Sequence, residues 1–157
     1  ASGLVAETLP AEPGIRQKKK KKKRCGAPSA CVMFQELQEI LEDLNAHVEG
    51  LEDLLVIQQD GTLLGERRMA ENSAEIRPLV CEFSELMRSI CRTLGESAGT
   101  EAIIRGKDRF LAIYKDPAAE VFLAIIGASA INFGLLNSGG RITIKKIHEM
   151  LRQKLPQ

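Results

Sequence analysis

The chain has no tryptophan, one tyrosine and five phenylalanines in 157 residues, so aromatic rings are only 4% of it. Any core must be built mainly from Leu, Ile and Val. The four cysteines (Cys25, Cys31, Cys81, Cys91) form no CxxC pair, and only His47 and His148 could join them, which argues against a zinc site. That density is also far from a disulfide-rich secreted module, so reduced thiols in a cytoplasmic protein are expected. A glycine-rich GxxxxGK phosphate loop is missing, and so is a GxSxG nucleophile elbow. Neighbouring acids such as Glu42-Asp43 and Glu52-Asp53 read as solvated faces rather than acid-base pairs. No catalytic, metal or cofactor site is expected.

Long apolar runs are scarce too. The longest, Ala119 to Leu136, contains Asn132 and lies between Asp116-Pro117 and Asn137-Ser138-Gly139-Gly140. A bilayer span needs roughly 20 consecutive apolar residues, so this run reads as core and no transmembrane segment is expected. Cys25 to Phe34 holds Gly, Pro and Ser, and is too polar for a signal-peptide core.

What the sequence does have is a division of charge. Residues 1 to 32 carry eight basic side chains, among them the unbroken run Lys18–Arg24, against two acidic ones, while the remainder has 14 basic against 19 acidic. The tail is +6 and the rest −5, so the folded part should have no general or specific affinity for nucleic acid. With Pro10, Pro13, Gly14, Gly26 and Pro28 and no apolar periodicity, residues 1–32 are expected to form a disordered basic tail. Its lysines suit a nucleic-acid arm, a nuclear address or an anchor on anionic lipid; a solvated or non-native extension is the plain alternative.

Residues 33–157 read as one domain. Phe34, Leu37, Leu41, Leu44 and Val48 form a helical stripe closed by Gly50. Leu51 to Gln59 reads as a strand, Asp60-Gly61 as a two-residue hairpin turn, and Thr62 to Glu66 as the returning edge strand. From Glu75 to Leu94 the spacing predicts a second helix. Its wide stripe is Ile76, Leu79, Val80, Phe83, Leu86, Met87, Ile90 and Leu94, with Cys81, Ser84 and Arg88 beyond it, and Pro78 falls in the first turn.

Three strands follow: Gly99 to Gly106, Arg109 to Lys115, and Val121 to Ile126, the last apolar on both faces and therefore expected at the sheet centre. Gly127 would be a hinge into a helical stripe Ala128, Ile131, Asn132, Leu135, with Ser129 as cap and Asn132 bonding to backbone at the junction. Arg141 to Leu155 is helical, but Ile144, Ile147, Leu151 and Leu155 run out of phase with the preceding stripe. Ser138-Gly139-Gly140 is expected to kink or interrupt this last helix. The fold class is α/β (α+β): a central five-stranded antiparallel sheet between helices, in the order α-β-β-α-β-β-β-α.

That order, the Leu-rich strand into Asp60-Gly61, and the final strand into Asn132-Phe133-Gly134-Leu135-Leu136 resemble the roadblock (dynein light chain) family over about residues 33 to 155. Asn137 to Gly140 departs from the pattern, because the family continues one helix there. The resemblance implies a roadblock/profilin-like domain that homodimerises through its second helix and third strand. It also implies a partner among the Ras-like small GTPases, in an activating, scaffolding or adaptor role without catalysis of its own. Cys81, Ser84, Arg88, Arg92, Glu101, Ile103 and Arg105 are the expected interface residues, with Arg88 and Arg92 weighed as arginine fingers. Asp60, Gly61, Asn132 and Gly134 are the expected structural positions. The alternatives are a small-molecule sensor of the profilin/PAS-like kind, against which the large residues Phe110, Tyr114, Phe122 and Met87 argue, a motor-complex light-chain adaptor, and an adaptor that binds through its polybasic tail.

Overall fold

The structure is a computed structural model that describes Gly3 and residues 28–68, 73–96, 100–116 and 118–154. The expected tail lies almost wholly outside the described residues. Among the described residues the order is α1 (Pro28–His47), β1 (Leu51–Gln58), β2 (Leu63–Arg67), α2 (Ser73–Thr93), β3 (Glu101–Arg105), β4 (Arg109–Lys115), β5 (Val121–Ala128) and α3 (Phe133–Lys154). All neighbouring strands are antiparallel, in the order β2-β1-β5-β4-β3. β5 is central because its side chains are buried on both faces, and the short strands β2 and β3 take the edges.

The two faces are covered unequally. α1 and α3 pack side by side on one face, where Leu37, Leu41, Leu44, Tyr114, Leu123, Leu136 and Ile147 belong to the larger core. They run antiparallel, since Lys154 Nζ meets Glu36 at 2.9 Å and Lys146 Nζ meets Asp43 at 2.9 Å. On the other face the smaller core is Leu55, Ile57, Val80, Ile113, Phe122 and Ala124, and α2 lies over it alone. Asp60 and Gly61 form the β1–β2 turn: the Thr62 N–H donates to Asp60 Oδ1 at 2.9 Å, and Gly61 has φ +90°, which a side chain would strain.

Four local expectations are corrected. α1 begins at Pro28 rather than at Met33-Phe34, and the stripe is continued by Met33, four residues before Leu37, so Phe34 is left 53% exposed. β5 runs through Gly127 without a hinge because Gly127 is paired in the sheet with both Leu51 and Phe110; the glycine allows close packing, since a Cβ there would stand 2.5 Å from the Gly50 carbonyl oxygen. Ser129 does not cap the last helix; it is buried and its Oγ donates to Gly106 O at 2.8 Å. Asn132 is the cap, its Oδ1 accepting from the N–H groups of Gly134 and Leu135 at 3.0 and 3.2 Å from an exposed position.

The fourth correction concerns Ser138-Gly139-Gly140, which neither kinks nor interrupts the chain: α3 is one helix from Phe133 to Lys154. The apparent change of phase arises from taking Leu135 as buried, whereas Leu136 is. Leu136, Gly140, Thr143, Ile147 and Met150 then make a single continuous stripe. The glycines permit close approach, since a Cβ on Gly140 would lie 2.4 Å from the Tyr114 ring.

Candidate interaction surface

Helix α2 carries two apolar stripes one residue apart. Val80, Ser84 and Met87 are turned to the sheet and buried, with Cys81 and Cys91 half-buried at their side. Leu79, Leu86, Ile90 and Leu94 repeat the same spacing one step round the helix and are 56%, 54%, 49% and 71% exposed. A helix that has only a sheet beneath it can bury one such stripe; the second stays in water.

An exposed apolar side chain also stands at the edge of the sheet. In β3 the side chains alternate, and the register Ile104↔Leu111 puts Ile104, 48% exposed, on the α2 face beside Leu111. Ile104 lies beside Ile76 at the start of α2, on a strand that has no further strand beyond it among the described residues. Polar contacts on this side are local, such as Arg88 Nη1 to Glu85 at 3.0 Å.

The expected interface residues are scattered relative to these exposed side chains. Ser84 is buried and its hydroxyl donates to the Cys81 carbonyl at 2.9 Å. Burial and the nearby Asp60 carboxylate push the Cys81 thiol pKa upward, which favours the protonated thiol. Arg88 is half-buried and Arg92 exposed, both on α2. Glu101, Ile103 and Arg105 share the opposite sheet face with α3. Glu101 is held by Arg141, whose Nε donates at 2.7 Å and keeps the carboxyl pKa below its ordinary range. The Arg105 guanidinium donates to Ser129 O at 2.9 Å and stacks 4.7 Å over the Phe133 ring.

Leu79, Leu86, Ile90, Leu94 and Ile104 are therefore the exposed apolar side chains here, and the sequence reading assigned the four α2 residues to the core. The signal that could have separated them was the width of the α2 stripe, too broad for one face. Elsewhere, Phe110, Tyr114 and Phe122 fill the two sheet faces, and burial together with the Glu101 charge pushes the Tyr114 hydroxyl up to about 12. Among the described residues no group of three or more His, Cys, Asp or Glu side chains is placed to hold a metal ion, and no helix is long and apolar enough to cross a membrane.

A sheet in the order β2-β1-β5-β4-β3, with two helices on one face and a lone amphipathic helix on the other, is the fold of the roadblock (dynein light chain) proteins. No family sequence model matches the chain, and no curated protein matches it by sequence. Solved structures do. The gliding protein MglB from Thermus thermophilus is 14% identical with a TM-score of 0.71, over 77% of this chain and 92% of that one. An MglB with a tetrameric arrangement is 15% identical at 0.72, covering 78% and 93%. A Roadblock/LC7 domain from Streptomyces avermitilis is 15% identical at 0.66, covering 73% and 96%. At such identities the likeness shows the roadblock fold.

Proposed function

We propose that this chain is a homodimeric regulator or scaffold of a Ras-like small GTPase, with no catalytic residues of its own. The observations that carry the reading are the exposed stripe of α2, Leu79, Leu86, Ile90 and Leu94, and the exposed Ile104 on β3, an edge strand among the described residues. A second copy turned by a twofold axis presents the same side chains, so helix meets helix while the two β3 edges approach and extend the sheet. The tetrameric arrangement of one MglB supports the idea that chains of this fold self-associate. The roadblock resemblance supplies the GTPase as partner, and the sparse, unpatterned cysteines support the cytoplasm as the compartment in which the two would meet.

The test is affinity capture with the full chain as bait against a Ras-like GTPase loaded with GDP or with a non-hydrolysable GTP analogue. Preferential retention of one nucleotide state is expected. Equal and negligible retention of both would overturn the GTPase reading, and the oligomeric state would then stand as a separate question.

A further inference from the structure

We propose that the outer face of α1 and α3 is a second self-association surface, covered by the same face of another copy. The two helices divide charge between them. α1 carries four acidic side chains, Glu36, Glu39, Glu42 and Asp43, and no Lys or Arg, whereas α3 carries five basic ones and the single acid Glu149. Pairs across the seam, Lys146 with Asp43 and Lys154 with Glu36, tie the helices side by side. They leave Glu39 exposed and in no ion pair among the described residues. Lys145 and Arg152, seven residues apart, are exposed on one side of α3, where Arg152 pairs with Glu149 of its own helix.

At the other end of the seam the face is apolar. Leu135 and Ile142, also seven residues apart, are 54% and 55% exposed, and they border an open groove of about 300 Å³ lined by Leu44, Val48 and Gly139.

This pattern is its own complement under one twofold axis. With the axis parallel to the helices, acidic α1 lies over the basic α3 of the second copy, and the apolar end stays on the apolar end. An axis across the helices would set acid on acid and the apolar end on the charged one. The two helices present a face about 30 Å by 20 Å, so about 600 Å² per copy is covered, at the lower end of specific interfaces. The association is therefore weak, strongest at low salt and high concentration, and at micromolar concentration adds nothing to the melting temperature. It uses the side of the sheet opposite α2, and it holds whether or not α2 forms a dimer or a GTPase binds.

The experiment is sedimentation equilibrium of the full chain carrying Leu86→Glu, which removes any contribution of α2, at about 0.02 M and about 0.5 M salt. Reversible pairing is expected at the low salt, at least about tenfold weaker at the high. Adding Glu39→Lys, or Lys145→Glu together with Arg152→Glu, should weaken the low-salt pairing about tenfold or more in each case. Mixing the two variants should restore it, since every contact of α1 with α3 in the mixed pair again joins opposite signs. Ile142→Gln tests the apolar end without changing charge and should weaken pairing about tenfold. No pairing at low salt, a mixture no tighter than either variant alone, or an Ile142→Gln variant that pairs as before would each overturn the proposal. So would loss with Glu39→Lys but not with the α3 double substitution, which would put the basic partner outside α3. All the substituted side chains are exposed, and unchanged thermal melts confirm that the variants fold.

Discussion

The two neighbouring glycines of α3 separate two effects of adding a methyl group. At Gly140 the new Cβ would meet the Tyr114 ring at 2.4 to 2.8 Å, and that ring is buried with its hydroxyl donating to Asn137 Oδ1 at 2.8 Å. Gly140→Ala should therefore destabilise by about 1–3 kcal/mol through overpacking, even after the gain in helix propensity. At Gly139 the nearest atom is a terminal methyl of Leu44 at 2.9 Å, which can turn aside. Gly139→Ala should be neutral to within about 1 kcal/mol. Urea midpoints of the two variants check the contrast, and equal values would refute the close approach. Whether this Gly-Gly breaks a helix or lets it pack is settled by what lies opposite, which a linear sequence does not carry. Asn132, by contrast, was legible as a backbone-bonding amide because its place between an apolar strand and a helix allows little else.

A second residue-scale prediction concerns pH. Burial raises the Asp116 carboxyl pKa, but the Ala118 N–H at 2.8 Å and the His148 ring at 3.0 Å outweigh it and hold the pKa below the ordinary 3.8. A depressed carboxyl contributes stability above its unfolded pKa and loses it as pH falls through the lower folded one. The wild-type chain should thus lose this contribution below about pH 4, and Asp116→Asn should lack it at all pH values. Unfolding midpoints near neutrality and near pH 2 should differ less in the variant than in the wild type, and parallel curves would exclude the pair as a source of acid sensitivity.

Among the elements, α2 decides the functional reading. Substituting Leu86 or Ile90 by Glu places a charge on side chains that are about half exposed in the single chain. The fold should lose no more than about 0.5 kcal/mol, as for ordinary surface changes. Self-association should weaken at least about 30-fold, the effect of losing one central apolar anchor. Sedimentation velocity on wild type, Leu86→Glu and Ile90→Glu reads both outcomes. A wild type that stays monomeric at high concentration would remove the dimer. Hydropathy periodicity found this helix, and the lack of alternation in β5, apolar on both faces, found its central place in the sheet. It could not divide the α2 stripe, because Val80 and Leu79 are equally apolar whether a sheet or a second chain covers them.

For the whole molecule, the unequal covering of the sheet means that part of the stability should reside in association. The α1/α3 face buries Leu41, Leu54, Leu123, Leu136 and Ile147 within one chain, while the outer stripe of α2 is exposed. If folding and pairing are coupled in this way, unfolding of the pair releases two chains, and the melting temperature depends on concentration by mass action. A tenfold rise in protein concentration supplies about 1.4 kcal/mol per pair, which for two chains of this size shifts Tm upward by roughly 2–4 °C. Differential scanning calorimetry over two decades of concentration measures it directly. Leu86→Glu should melt at one temperature throughout, and should meet the wild-type value at the dilute end. A wild-type Tm that does not move with concentration would show that the pair has already separated at the temperature where the chains unfold, and would exclude association as a source of stability there.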